Sequence, residues 1–521
     1  MNSAKRFFGA FYRRRILWSF SAGVVYSLAF FDGALFVFGL LGLFMLFLRL
    51  FTAGEEDFVP EKPFVTVLWF GFGFFIPLYS WLTALYPFSA FGLTRAQGIF
   101  VVICGVFGIG AFHALLLALP FLLMRLVPRR TALYPLAAAC CYMAGEWLMS
   151  LGTLAFPWGM TAVGQYRFLP LLQNASLLGA YFITFIVCFF TSSLSLAARR
   201  KRRPFVIMTC VSLLVPLLAG TVILIVPQNS SGVIRVAAVQ GNEPMDEKWD
   251  TAKLNENIDK YISLTRQAAE DGAKLIVLPE TAFPCEYTSS IHRRVADIAA
   301  EYGCTVLVGA MTRTSEGYYN SVFAVYPDGS RSEKYDKRRL VPFGEFLPWR
   351  DLLVKILPFL DSVNLSSLNL SPGESDPQIT AYGARLGCLI CFDSVFAPLA
   401  RGEYDLICVC TNDSWFKDTP GIYQHAAHSA VRAAETGKWI VRAANTGVSC
   451  FISPEGAVYD PTEPLTEALI VRDITFSQSR TLYSRVGDVI LLLPLCFFIF
   501  CVAHVAADKI KKSRNKERET L

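Results

Sequence analysis

Cys388 and Cys391 stand three positions apart in LGCLICFDSVF (386–396). That spacing suits a redox pair, two ligands of one metal, or a nucleophile with an inert neighbour. A redox pair of the thioredoxin kind opens a helix, its first cysteine attacking, yet Cys388 lies inside an apolar, strand-like run. A zinc site needs further ligands; His425 and His428 are the nearby histidine pair, on a helix-like segment, and no second CxxC accompanies them. Side chains alternate faces along a strand, so the two thiols are expected to point apart and could not bridge without distortion. Cys391 ends the run, and Asp393 and Ser394 open what reads as a helix, so its thiol is expected near the positive end of a helix dipole. That is a nucleophile's position. A thiolate also needs a proton acceptor and a cationic or hydrogen-bonding partner for the developing oxyanion.

Two residues could fill those roles. LIVLPETAFP places Glu280 at the exit of a buried strand, where the sites of α/β sheets collect, and KYDKRRLVPFGEF places Lys337 just after the hairpin-like SVFAVYPDGSRSEKY. Taken singly, each has an ordinary explanation, Glu280 as a strand-end cap and Lys337 as one of several surface bases.

Strands and helices alternate around these residues. VIRVAAVQ (233–240), KLIVLPE (274–280), TVLVGA (305–310), SVFAVYP (321–327), ARLGCLIC (384–391), DLICVC (405–410) and the pair WIVRAAN and VSCFISP (439–454) read as strands. Helical periodicity runs through 251–273, 292–303 and 425–437. Several strands are apolar throughout, which argues an α/β domain with buried sheets. The segment 340–374 fits neither pattern, being rich in Leu, Phe and Trp yet broken by Pro and Gly. It reads as a loop packed on the core or as a lid resting on a membrane.

The chain around this domain is that of a membrane protein. Of its 521 residues 54% are hydrophobic, and the mean hydropathy is +0.42, too apolar for a soluble chain. A span needs about 20 apolar residues. Seven runs supply them near 16–31, 33–52, 64–86, 99–127, 132–150, 171–197 and 204–226, and an eighth lies at 489–507. The expected architecture is a polytopic helical membrane domain of about eight spans plus the α/β domain. Its parts are 1–226 with about seven spans, 227–486 as the globular domain, and 487–521 as the last span with a basic tail. Lys and Arg crowd one side (Arg13, Arg14, Arg15, Arg125, the run 199–203 and the tail), whereas the short loops of the other side hold only Arg95 and Arg167. The positive-inside rule then puts both termini in the cytoplasm and the globular domain outside, in the periplasm of a two-membrane bacterium. The net charge of +6 reflects that topology, and nucleic acid is not expected as a partner. Seven of the cysteines fall outside the spans; an odd number in an oxidising compartment leaves at least one thiol unpaired. Glu146 and His113 are the notable ionisable residues within spans and are functional candidates on that ground, with Glu146 near an outer end where headgroups could meet it.

LPETAFP, YDKRRLVPFGEFLP and LGCLICFDSVF, in that order and at these spacings, resemble the Glu, Lys and Cys segments of the carbon-nitrogen hydrolase (nitrilase) superfamily. More narrowly, AAVQGNEPMDEKWD (237–250), RLVPFGEFLP (339–348), TNDSWF (411–416) and AANTG (443–447), with FGFGF (70–74), FPWG (156–159) and spans on both flanks, resemble the bacterial apolipoprotein N-acyltransferase family. The resemblance implies a nitrilase-like αββα sandwich with Cys391 as nucleophile, Glu280 as general base and Lys337 as oxyanion stabiliser. Glu345 matches a second, supporting glutamate, and Trp249 and Trp415 match aromatic positions at the substrate pocket. The family's common Tyr-Glu after the nucleophile is here Phe392 and Asp393, so a phenol is lost and a carboxylate is one methylene shorter. A phospholipid acyl donor, a diacylglyceryl apolipoprotein acceptor and a cysteine thioester between them are further implied, with no cofactor or metal, in a bacterial inner membrane.

Two other readings stand beside this one, a membrane-tethered hydrolase and a transporter or scaffold whose outward domain is a retired hydrolase fold. Retirement would usually erase part of the triad, and all three residues stand. A membrane-tethered amidase or nitrilase would keep the triad with water as acceptor. A transporter would show broken, charge-bearing spans, and these runs are nearly free of charge. The orientation can be tested by fusing a phosphatase that is active only outside the cytoplasm. Activity after residue 230 and none after residue 521 is expected, and the reverse pattern would invert the topology.

Overall fold

The glycines of FGFGF have a packing reason. A Cβ on Gly73 would lie 2.0 Å from the Phe20 carbonyl oxygen, and one on Gly23 would lie 2.0 Å from that of Phe70. Helices Arg15–Ser27 and Pro63–Leu78 therefore meet backbone to backbone. Helices in lipid favour such small-residue contacts because burying apolar surface there brings no hydrophobic gain.

The computed structural model describes residues 14–51, 62–87, 93–128, 131–226, 229–315, 317–358, 370–376 and 378–520. Each of the eight apolar runs contains a helix. Among the described residues six helices are long and apolar enough to cross a membrane: Gly33–Leu50, Pro63–Leu85, Arg95–Leu126, Ala180–Arg200, Arg203–Ile225 and Val489–Lys511. Arg15–Phe30 is a shorter apolar helix, and Tyr134–Leu148 is a 15-residue helix mostly buried among the others.

The run expected over 171–197 differs. It is helical from Ala180, and the chain before it folds into single turns, Thr161–Gly164, Leu169–Leu172 and Ala175–Leu178. Polar side chains there bond to main chain: Asn174 Nδ2 donates to the carbonyls of Leu171 and Pro216, both at 3.0 Å, and Gln173 Nε2 to that of Glu455 at 2.7 Å. Such bonds compete with a continuous helix. Glu146 is placed differently from the expectation that it could meet headgroups. It is buried and accepts hydrogen bonds from Thr161 N (2.8 Å), Thr161 Oγ1 (2.6 Å) and Thr184 Oγ1 (2.6 Å), pinning the first of these turns to the following span. His113 is also buried, with Nδ1 2.5 Å from the Tyr79 hydroxyl.

Two sheets lie beyond the spans. β1 (Ser230–Gln240), β2 (Leu275–Val277), β3 (Phe283–Glu286), β4 (Thr305–Thr314), β5 (Gly317–Val325) and β6 (Tyr335–Asp336) belong to the first. β7 (Gln378–Ala381), β8 (Ala384–Ile390), β9 (Leu406–Thr411), β10 (Ile440–Ala444), β11 (Cys450–Ile452) and β12 (Val458–Tyr459) form the second. β13 (Ala468–Ser477) returns to pair antiparallel with β1, so the orders are β13-β1-β2-β4-β5-β6 and β12-β11-β10-β9-β8-β7. The central strands, β1-β2-β4 and β8-β9-β10, are parallel. Every stretch read as a strand from the sequence contains one, though that expected over 274–280 is strand only at Leu275–Val277, and the three helical stretches are Leu254–Glu270, Ser289–Tyr302 and Gly421–Thr436.

Strand alternation sorts the side chains into layers. Val236, Val277, Leu386 and Cys388 lie between the sheets. Ala237, Ile276 and Val306 pack on the helices Leu254–Glu270 and Ser289–Tyr302. Leu389, Ile407, Val409 and Ile440 pack on Gly421–Thr436, and this last cluster runs on without a break into Leu172, Ala138 and Phe74 of the membrane helices. The result is an αββα sandwich whose outermost layer on one side shares its core with the spans. Of the segment 340–374, residues 359–369 lie outside the described residues; before them Arg350–Ile356 forms a short helix with Leu352 and Ile356 exposed.

This shared core predicts that the sandwich does not stand alone. A fragment of residues 230–486 produced without the membrane helices should aggregate in detergent-free buffer during size-exclusion chromatography. A monodisperse monomer would show that this layer is self-sufficient.

Candidate active site

The parallel strands of both sheets deliver their following loops to one end of the sandwich, where polar groups of different strands can meet. Glu280 follows β2 and is buried. Its Oε1 accepts from Lys337 Nζ at 2.9 Å and Asn320 Nδ2 at 2.6 Å, and its Oε2 accepts from Asn412 N at 2.8 Å. Lys337 follows β6, its own N–H tied to the Asn320 carbonyl at 2.8 Å, and is 1% exposed. Its Nζ also donates to Glu345 Oε1 at 2.6 Å, while Glu345 Oε2 accepts from Val341 N at 2.8 Å and so closes the turn of PFGEF. Burial alone would lower the lysine's pKa, but Glu280 and Glu345 outweigh it and hold the pKa well above the usual lysine value. Lys337 is therefore a permanent cation at neutral pH.

Cys391 comes directly after β8 with φ +50°, a backbone region that non-glycine residues seldom adopt and that costs about 1–3 kcal/mol. That angle corrects the expectation that alternation sets the two thiols on opposite faces. The strand stops at Ile390, the chain turns back, and Cys391 joins the same inter-sheet core as Cys388, which sits opposite Cys408 on β9. All fourteen cysteines are free thiols. Burial, and after it the Glu280 carboxylate, push the Cys391 thiol well above its usual pKa, with Lys337 pulling the other way. The resting sulfur is thus protonated, and its ionisation needs a base beside it.

The two departures from the family pattern have distinct surroundings. Asp393, one methylene shorter than glutamate, still bonds: it accepts from Tyr335 Oη at 2.7 Å, Arg339 N at 2.8 Å and Ile390 N at 3.3 Å. These bonds tie the turn after β8 to the segment that carries Lys337. Burial raises its carboxyl to about 6, against the pull of Tyr335 and Lys337. Phe392 packs on Phe156 of FPWG and on Phe396, ring centroids 5.2 and 5.1 Å apart. Trp249 is half exposed, and Trp415 is half-buried in the turn Ser414–Phe416. The structure brings Glu280, Lys337 and Glu345 into direct contact and sets Cys391 within their electrostatic reach.

A second polar cluster lies behind the sulfur, and its roles were not foreseen from the sequence. His425 Nδ1 is 2.7 Å from Asp413 Oδ1, Arg442 Nη2 donates to Asp413 Oδ2 at 2.7 Å, and His425 Nε2 lies 3.3 Å from the Cys391 carbonyl oxygen. Despite its burial, Asp413 is held well below the usual carboxylate range by Arg442 and His425. Ligand-type atoms of Cys391, Asp413 and His425 lie within 4.8 Å of one another, but Asp413 already spends both oxygens on Arg442 and His425. The cluster therefore acts as a brace for the strained turn. A Cβ on Gly447 would lie 2.0 Å from Asp413 Oδ2, which gives the glycine of AANTG its reason. Asn412 and Asp413 sit inside TNDSWF, so the motif was visible while the partners of its polar residues were not.

A family model for carbon-nitrogen hydrolases matches residues 235–483, and one for the apolipoprotein N-acyltransferase N-terminal domain matches residues 22–193. The apolipoprotein N-acyltransferase of Geobacter metallireducens is 32% identical over 69% of this chain and 71% of its own. That of Bradyrhizobium diazoefficiens is 30% identical over 84% of each chain, and that of Azotobacter vinelandii 30% identical over 90% of this chain and 91% of its own. Among solved structures, a CN-hydrolase superfamily protein of Xanthomonas campestris aligns with 47% of this chain and 91% of its own, at 19% identity and a TM-score of 0.36, a likeness too slight to add to the sequence matches. On the strength of those matches, the chain belongs to the apolipoprotein N-acyltransferase family.

Proposed function

We propose that the protein transfers an acyl chain from a phospholipid, through a thioester on Cys391, to the α-amino group of the N-terminal diacylglyceryl-cysteine of an apolipoprotein. The observation that carries this reading is the contact of Glu280 with Lys337 beside a buried, strained thiol in a chain of this family.

The cycle has two halves. Glu280 takes the proton of Cys391, the sulfur attacks the ester carbonyl, and the tetrahedral oxyanion is held by Lys337 and main-chain N–H groups. The ester C–O bond breaks, the proton passes from Glu280 to the departing oxygen, and lysophospholipid leaves. The acceptor amine then attacks the thioester with Glu280 again as base. The C–S bond breaks, an amide forms, and the proton returns to sulfur. Glu345 keeps Lys337 in place, and Trp249 and Trp415 flank the substrate.

Location follows from the substrates. Both are anchored by acyl chains, and each buried CH₂ is worth roughly 0.8 kcal/mol, so lifting a whole chain into a soluble pocket would be costly. A site held at the outer bilayer surface, with 227–486 periplasmic and both termini cytoplasmic, avoids that cost. Water competes for the thioester, and the segment 340–374 is the shield we assign.

Intact-protein mass after incubation with phospholipid tests the nucleophile. An acyl-sized, hydroxylamine-sensitive adduct should survive Cys388→Ser and vanish in Cys391→Ser; a folded wild-type protein with no adduct would remove the thioester from the scheme. For the shield, deleting the exposed helix Arg350–Ile356 should raise fatty-acid release relative to transfer, and an unchanged ratio would take that role away.

A further inference from the structure

Lys248 ends the single helical turn Met245–Lys248, directly before Trp249, and is 1% exposed. Its Nζ donates to the Glu280 main-chain carbonyl at 3.0 Å. An ammonium has three donors and no acceptor, and burying one against a neutral oxygen is unfavourable unless opposite charge stands nearby. The ionisable groups facing Lys248 are Glu280, Glu243 and the Cys391 thiol. Glu243 is already paired with Lys260, so Lys248 is left facing Glu280 and the sulfur.

Lys248 is a second ammonium beside two carboxylates that share the first. Glu280 and Glu345 both lie on the single ammonium of Lys337, and although burial raises the Glu345 carboxyl above its usual pKa, ionisation of both leaves one excess negative charge beside a thiol that must itself become negative. Arg442 is already paired with Asp413, and Asp393 accepts only from Tyr335 and two main-chain N–H groups, so neither neighbouring cluster offers a spare cation.

We propose that Lys248 is a positioning residue and second cation of the site, fixing the Glu280 segment through its carbonyl and offsetting the carboxylates when negative charge develops on Cys391 and on the tetrahedral oxyanion. This rests on the acyl-transfer reading of Cys391. The segment held is itself strained, since Thr281, next to Glu280, has φ +47°. Burial lowers the Lys248 ammonium to about 8 despite the opposing pull of Glu280, Glu243 and Cys391. Its charge is therefore present below that pH and is lost as pH rises through it, whereas Lys337 stays charged.

The test is the single-turnover rate of Cys391 acylation by phospholipid in mixed micelles, read by intact mass from about pH 6 to about pH 10 for wild type, K248Q and K248M. The wild-type rate should fall as pH passes about 8. K248Q retains a donor for the Glu280 carbonyl without the charge, and K248M retains neither. Both should be slower by at least about tenfold at pH 7, one pKa unit's worth of charge stabilisation, both should lack the fall near pH 8, and K248M should be the slower. Thermal unfolding of each variant separates this from loss of fold, and K248Q alone decides if K248M does not fold. A flat wild-type profile across pH 8, a fall near pH 8 that persists in a folded variant, or K248Q at the wild-type rate would overturn the role of Lys248. A wild type that forms no acyl-enzyme at any pH would instead overturn the reading of Cys391 on which it rests.

Discussion

The ammonium of Lys337, held between Glu280 and Glu345 out of reach of water, is the contact on which the rest of this site depends. Taking charges out of water is expensive, and breaking such a pair by removing one partner costs about 3–5 kcal/mol. The three groups come from the loop after β2, the segment after β6 and the turn of PFGEF. The sandwich must therefore bring those places together to within hydrogen-bond distance. Asn320 on β5 and the Asn412 N–H after β9 add neutral donors to Glu280, so the base is fixed from both sheets at once.

The membrane helices are a second source of that rigidity. FPWG leaves the spans and enters the sandwich: Trp158 Nε1 donates to Gln424 Oε1 at 2.8 Å, and His428 Nε2 lies 3.2 Å from the Trp158 carbonyl oxygen. The Trp158 ring lies 5.5 Å from that of His425, whose other side reaches the Cys391 carbonyl. Glu435, at the end of the same helix, accepts from Ala180 N at 2.7 Å, where a span begins. Gly421–Thr436 thus serves two surfaces, with the second sheet on one side and the spans on the other.

Much of this was legible in the sequence, for identifiable reasons. Each of the eight apolar runs marked a helix, six of them long and apolar enough to cross a membrane among the described residues, and β-branched stretches bounded by Gly, Pro and Asp marked the central strands. What escaped depended on contacts distant in sequence. β13 carries Arg472 and Asp473 mid-strand and pairs with β1 more than two hundred residues away, so no local pattern announced it. The facing of Cys391 followed from one left-handed angle, which residue types alone do not reveal. His425 read as one of a lone histidine pair because its carboxylate, Asp413, lies on another loop. Lys248 was overshadowed by its neighbour Trp249, and its burial could not be inferred from a segment as polar as MDEKWD.

The unbroken core from the spans to the second sheet bears on how such a protein can change over time. A side chain that grows on the lipid side of Gly421–Thr436 displaces neighbours that also seat the strand leading to the nucleophile. Substitutions on either side must then be matched on the other, and the sandwich cannot be handed to a different set of spans by recombination at the chain boundary alone. The shared core thus makes the two parts one mechanical unit, although each is matched by a family model of its own.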